Sequence, residues 1–449
     1  MNAQQKKINE NKDFIFYHKV NIFGESGVGK STLISLMDNS ENNDDNNDVQ
    51  VNQNLSIVSV DSYNQPHGLV EQIKKVNIVI DKENNKEHLY LNIYETNING
   101  YNSIKMNLDT LLFQTQCVII MWDNSEIDSF KNIEDLVSVI ISLIKEKKIK
   151  KIPIFLIRNK MDLNPRISDA TNRNKIINAI NDSINKVKGK YQDYITYKEI
   201  SLLKNDDNTF HDLISDINTK IVNKENNYLE GDIYNSIKLL INPKDENEYY
   251  PNDLAKAFKF ILLGHSAVGK TTFFNAIQGK QENNISTIGV EGIKILTEIY
   301  GEKNCIMLYD TAGQERFKSV AKAYIREVDG IFLMFDVTNG DSFRSVDEWI
   351  SSAKENNNKQ CEIFLIGNKI DLNDKRIISK VEAKVKANKY NINYYECCSL
   401  NGLNAYEIFI ELILTIYKNK KKNEEKQLRR ENISLNGKVI KKKKDKCCK

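Results

Sequence analysis

Two eight-residue stretches carry the residue types that hold phosphate: GESGVGKS at 24–31 and GHSAVGKT at 264–271. Both fit G-x-x-x-x-G-K-[ST], and both stand between a strand-like apolar run and a helix-like run. Glycines let successive backbone N–H groups curl round an anion, and the start of the following helix adds partial positive charge. Lys30 and Lys270 would reach the β- and γ-phosphates of a nucleotide, and the hydroxyls of Ser31 and Thr271 would ligate Mg²⁺. Gly24, Gly27, Gly29 and Thr32 complete the first cradle; Gly264, His265, Ser266, Ala267, Val268, Gly269 and Thr272 complete the second. The plainer alternative is a glycine-rich turn with an exposed lysine, and it would have to occur twice in the same strand–loop–helix setting.

A phosphate cradle does not select a base. RNKMD at 158–162 and GNKID at 367–371 each follow an apolar run and bring Asn-Lys-x-Asp. The carboxylates of Asp162 and Asp371 would accept hydrogen bonds from guanine N1–H and its 2-amino group, where adenine offers no donor. Asn159 and Asn368 would brace the loops, with Lys160 and Lys369 beside them. The alternative here is a polar strand-to-helix turn.

The two phosphate motifs lie 240 residues apart, and the Asn-Lys-x-Asp stretches recur in the same order. This marks the duplication of a whole domain rather than a short repeat. In each copy apolar runs alternate with helical patterns. Runs such as CVIIM (117–121) and IFLMF (331–335) suit strands buried on both faces of a mostly parallel sheet. KILTEIYGEKNCIMLYD reads as an antiparallel hairpin turning near Gly301–Asn304. The fold class expected is α/β, with two domains at 1–225 and 255–418. SENNDDNNDVQVNQN (40–54) is a polar insertion in the first. Residues 226–254 read as a linker in which IYNSIKLLI would form a short helix, and 419–449 as a flexible basic tail.

Charge is unevenly spread. The chain carries a net +3, yet residues 418–449 hold fourteen Lys/Arg against four Asp/Glu. The body is therefore acidic, which argues against a nucleic-acid-binding surface. No apolar run reaches the length of a membrane span and the N-terminus has no apolar signal core, so neither feature is expected. Seven cysteines without a C-x-x-C fit a reducing compartment better than a disulfide framework or a zinc site.

These motifs together resemble the Ras-like small GTPases, and the second copy is similar to the Rab family. It has GHSAVGKTT (264–272), STIGVEG (286–292), YDTAGQERF (309–317), GNKIDL (367–372) and CSLNGLN (398–404). The resemblance implies a six-stranded sheet, five strands parallel, flanked by helices. It implies that Thr287 binds Mg²⁺ and senses the γ-phosphate, that Asp310 holds a water on Mg²⁺, and that Gly313 donates its N–H to the γ-phosphate. Gln314 would orient the attacking water. Ser399 would sit against the base where family members have alanine, followed by Leu400 in place of their lysine. The stretch between Lys270 and Thr287 is shorter than usual and lacks the aromatic that stacks on guanine; Gly292 replaces an aromatic after TIGVE.

The first copy differs where the γ-phosphate would be read. NIYETNING (92–100) aligned on MLYDTAGQE (307–315) matches Tyr94 to Tyr309, Glu95 to Asp310, Ile98 to Gly313 and Asn99 to Gln314. Residues 33–95 contain no threonine to replace Thr287. Yet Gly29, Lys30, Ser31, Asn159, Lys160, Asp162 and Ser201 remain. The first domain is thus expected to bind guanine nucleotide and hydrolyse it poorly or not at all; the alternative is a decayed copy with an empty pocket.

The chain ends VIKKKKDKCCK. Basic clusters favour anionic cytosolic leaflets, and two lipid chains anchor stably where one is marginal. Cys447 and Cys448 resemble the double geranylgeranylation signal of the Rab family, which an escort protein serves; the alternative is a solvated basic tail. The resemblance further implies GTP/GDP and Mg²⁺ as ligands, and exchange factors, GTPase-activating proteins and effectors as partners. It implies a place on the cytoplasmic face of an intracellular membrane, cycling with the cytosol. The whole then reads as a GTP-hydrolysing switch in membrane traffic, its activity in the second domain. The competing reading is a lipid-anchored scaffold in which neither domain turns over. A P-loop ATPase or kinase is disfavoured by both Asn-Lys-x-Asp stretches.

Overall fold

The computed structural model describes residues 18–37, 55–63, 70, 72–82, 85–149, 151–166, 173–203, 207–222, 237–241, 257–278, 290–299, 302–311, 323–357 and 361–444. The first domain runs β1 (His18–Gly24), α1 (Lys30–Leu36), β2 (Leu55–Tyr63), β3 (Gln72–Lys82), β4 (Asn85–Asn97), α2 (Tyr101–Leu111), β5 (Cys117–Asp123), α3 (Ile133–Lys145), β6 (Ile154–Asn159), α4 (Arg173–Lys190), β7 (Ile195–Glu199) and α5 (Asp207–Val222). The second runs β8 (Ile237–Ile241), β9 (Phe258–Gly264), α6 (Lys270–Ile277), β10 (Val290–Ile299), β11 (Glu302–Thr311), β12 (Gly330–Asp336), α7 (Gly340–Arg344), α8 (Val346–Asn356), β13 (Glu362–Asn368), α9 (Lys380–Tyr390), β14 (Asn393–Glu396) and α10 (Ala405–Lys444).

The sheets are ordered β2-β3-β4-β1-β5-β6-β7 and β14-β13-β12-β9-β11-β10-β8. In each, five neighbouring strands are parallel, and two more are added at one side through antiparallel pairings. β5 and β12 are buried along their whole length, as their unbroken apolar runs require. Trp122 and Trp349 lie in the core, Trp122 with its ring centroid 5.3 Å from that of Phe130.

Three expectations are corrected. Each sheet has seven strands, not six. In the first domain the added strand is β2, supplied between α1 and β3; in the second it is β8, taken from the stretch read as a linker. IKLLI (237–241) is therefore a strand and not part of a helix: Ile237 pairs with Ile299 and Ile241 with Ile295. A run of five residues is too short to tell helix from strand by period, and the unpaired backbone of β10 decides. The tail expected to be flexible from 419 continues α10 as helix to Lys444. Its Lys, Glu, Gln and Arg are good helix formers, and no proline follows Pro251 to interrupt them. The hairpin β10–β11 forms as expected but turns earlier, its last pair being Ile299 with Glu302.

Candidate functional site

Both phosphate loops leave the end of a central parallel strand, β1 or β9, and enter α1 or α6. Gly29 and Gly269 take left-handed φ values of 103° and 97° just before those helices. A Cβ at either would stand 2.3 Å from an amide nitrogen, that of Asn159 or Asn368, so no other residue fits. Those amides donate to the Val28 carbonyl at 2.9 Å and the Val268 carbonyl at 2.8 Å. Each asparagine thus bonds its Asn-Lys-x-Asp loop directly to the glycine-rich loop before α1 or α6.

The two lysines fold over their loops in the same way. Lys30 Nζ donates to the carbonyls of Gly24 (3.0 Å) and Glu25 (2.8 Å), and Lys270 Nζ to those of Gly264 (3.1 Å) and His265 (2.9 Å). Burial lowers the Lys270 pKa to about 8, against the upward pull of the Asp310 carboxylate. A polyphosphate in the cradle would supply the anion that this buried ammonium calls for. Ala267 holds φ 62° where the first loop has Gly27 at φ 80°. His265 is half-buried, with Nδ1 3.1 Å from the Ser266 carbonyl, and so packs on its own loop.

At the metal end, Thr271 Oγ1 donates to Asp310 Oδ2 at 2.6 Å. Ser31 Oγ contacts both carboxylate oxygens of Glu95, at 2.9 and 3.2 Å. A hydroxyl beside a carboxylate is the hard oxygen set that Mg²⁺ takes while it draws further ligands from phosphate and water. The second pair fits that ion. In the first, the longer Glu95 side chain also comes within 3.8 Å of Lys30 Nζ.

The serines after β7 and β14 divide their work differently. Ser201 Oγ accepts from the Asp162 N–H and donates to its carboxylate, each at 2.9 Å. Ser399 instead donates from N (2.9 Å) and Oγ (3.0 Å) to Asn368 Oδ1. Asp371 is partly buried near this loop, and Leu400 is 52% exposed on its rim. Thr32 and Thr272 are partly buried in the first turns of α1 and α6.

Sequence reasoning missed one pair. Lys160 Nζ lies 2.5 Å from Asp123 and 2.8 Å from the Gly27 carbonyl, and Lys369 Nζ lies 2.7 Å from Asp336. Asp123 and Asp336 end β5 and β12, and each accepts from the residue two further on, Ser125 or Thr338. The signal was available: both copies follow an apolar run with Asp-x-[Ser/Thr], as MWDNS and MFDVT.

The register supports the alignment of the two copies. Asn21 pairs with Tyr94 and Ile261 with Tyr309, and Asn21 and Ile261 are themselves 240 apart. Ile98 is fully buried in the apolar core, at the position of Gly313, while Asn99 is exposed. Thr287, Gly313 and Gln314 lie outside the described residues, as do Cys447 and Cys448.

A profile of the Ras family matches residues 19–219 and again 259–418. Ras-related protein Rab-10 of Diplobatis ommata is 35% identical over 181 residues, which span 40% of this chain and 88% of that protein. Ras-related protein Rab-13 of Bos taurus is 38% identical over 157 residues, spanning 34% and 77%. Ras-related protein Rab-8B of Bos taurus is 39% identical over 158 residues, spanning 34% and 76%. With two G-x-x-x-x-G-K-[ST] loops, each bonded to its own Asn-Lys-x-Asp loop, and two profile matches, this chain belongs to the Ras family and carries the family's domain twice.

Proposed function

We propose that this chain is a GTP-binding switch of Rab type whose second domain binds GTP with Mg²⁺ and hydrolyses it slowly, while the first binds guanine nucleotide with little hydrolysis. The observation that carries the asymmetry is Ile98, buried in the core where the second copy has Gly313. A β-branched residue held there offers no close backbone approach to a γ-phosphate.

In the second site Gly264–Lys270 would wrap the phosphates, Asn368 would hold the base loop to that wrap, and Asp371 would accept from guanine. Thr271, Thr287 and Asp310 would hold Mg²⁺, which when bound would offset phosphate charge. Gln314 would aim a water at the γ-phosphorus. The water oxygen bonds to the γ-phosphorus as the bond to the β–γ bridging oxygen breaks; that oxygen leaves on GDP with the electron pair, the water oxygen stays on the phosphate, and the water's proton passes to a phosphate oxygen. Little covalent work is asked of the protein, so positioning and charge suffice for slow turnover. A partner's arginine would speed it.

Kinship with Rab proteins supports work in membrane traffic, with exchange factors, GTPase-activating proteins and effectors as partners. Cys447 and Cys448 would take geranylgeranyl groups through an escort protein. The basic tail would then hold the chain on the cytoplasmic face of an intracellular membrane, from which it cycles to the cytosol. Among the described residues no helix is long and apolar enough to cross a bilayer. Single-turnover phosphate release from the full chain and from Gln314→Leu tests the central step. GTP binding should persist while release falls at least tenfold; a rate equal in both would favour the scaffold.

A further inference from the structure

The two domains meet at a buried polar junction that flanks the stretch carrying Ser399. The first domain contributes the start of β1, Tyr94 of β4, and the end of α2 with the loop that follows. The second contributes the end of β14, the start of α9, and Asn404 with the first turns of α10. Asn404 sits at the centre of the junction. It takes the left-handed φ of 62° that asparagine tolerates, and all of its side-chain polar atoms are used. Its Oδ1 accepts from Lys19 Nζ at 2.7 Å, and its Nδ2 donates to the carbonyls of Thr110 and Glu396, each at 2.9 Å.

The surroundings are polar and largely paired, with Glu407 Oε2 the exception among the groups named here. Tyr94 Oη donates to Glu407 at 2.9 Å, Gln114 Nε2 to Glu411 at 2.6 Å, and Lys380 pairs with Asp109 and Thr110. Phe113 and Tyr395 add an apolar contact, with ring centroids 5.0 Å apart. Lys19, Tyr94, Thr110, Glu396, Asn404 and Glu407 are all buried. Groups buried at that depth are costly unless paired, so their partners hold one relative position.

Ser399 lies on the seven-residue stretch between Glu396 and Asn404, and it holds Asn368. Both flanks of that stretch are fastened to the first domain, at Asn404 by two bonds, to Lys19 and Thr110, and at Glu396 through Thr110 Oγ1. The order of contacts is Lys19 and Thr110 to Asn404, the stretch to Ser399, and Ser399 to Asn368. A loop whose ends are fixed loses less freedom when it closes on a base.

We infer that the first domain serves as a built-in positioning partner for the base loop of the second, and thereby slows nucleotide release from the second site. This rests on the second site holding guanine nucleotide. Lys19, Thr110 and Gln114 act through Asn404 and α10 and touch no nucleotide themselves.

The test uses the full chain in a Lys30→Ala background, which silences the first site. Release of a fluorescent GDP is timed for this parent, for Gln114→Glu, and for Gln114→Glu with Glu411→Gln. The first substitution sets a carboxylate against Glu411 at the partly exposed rim of the junction and leaves the buried centre untouched. Release is expected to quicken about fivefold, as for about 1 kcal/mol of a lost partly buried hydrogen bond. The second substitution should restore the slow rate, which general damage to the fold would not permit. Release equal to the parent in Gln114→Glu would overturn the coupling. A parent chain that retains no guanine nucleotide would overturn the reading of the second site instead.

Discussion

The carboxylate of Glu95 stands 3.8 Å from the ammonium of Lys30, with both side chains only 3% exposed. An anion is therefore already present where the first phosphate loop would receive one. Neutralising it with Glu95→Gln should strengthen GDP binding to the first site by about tenfold without magnesium, since one charge at this range is worth roughly 1–2 kcal/mol. Calorimetric titration of the full chain carrying Lys270→Ala reads this site by itself. An unchanged affinity would mean that Glu95 and phosphate do not compete.

Gly269→Ala puts a methyl against the Asn368 amide at 2.3 Å in a backbone region that side chains rarely enter. The strain is on the order of 1–3 kcal/mol and falls where two loops must meet. The variant is expected to lose guanine nucleotide during gel filtration while Gly29→Ala keeps the second site loaded. Retention in both would contradict the bond between base loop and phosphate loop as the organising contact.

Ile98→Gly tests whether the first site can be repaired. The side chain is fully buried, so its removal should cost about 2–5 kcal/mol, read by urea unfolding. Phosphate release from the first site should not appear, because Asn99 is exposed and one methylene shorter than glutamine. A gain of hydrolysis without loss of stability would contradict both points.

His18 carries a pH signature. Burial lowers its pKa to about 4 from an ordinary 6.5. Its contribution to stability is complete above pH 6.5 and is lost as pH falls through 4, because the unfolded chain takes the proton first. That loss amounts to about 3 kcal/mol. His18→Leu should therefore show a flatter stability curve than the parent between pH 6.5 and 4, measured by denaturant titration at each pH.

Much of the site is legible in sequence because its chemistry is packed into contiguous residues. Lys30 and Lys270, with their glycines and hydroxyls, form one short word; Asn159 and Asn368 form another. Asp123 and Asp336 escape because each is a single carboxylate after an apolar run, and only its lysine partner, 37 or 33 positions on, gives it a role. The junction at Asn404 is beyond reach for the same reason at larger scale, since Lys19 is 385 positions away. IKLLI was misassigned because a run so short takes its form from the edge beside it. The helical tail shows the converse, with local propensity prevailing where a charged composition suggested slack.

Because β8 closes the side of β10, the limits of any excised second domain matter mechanically. A fragment beginning at residue 255 would shed that strand and bare the backbone from Ile295 to Ile299. The full chain ends its sheet in the five-residue β8, whereas the fragment would end it in the ten-residue β10; longer edges invite strand addition more readily, so the shortened piece should self-associate more than the full chain.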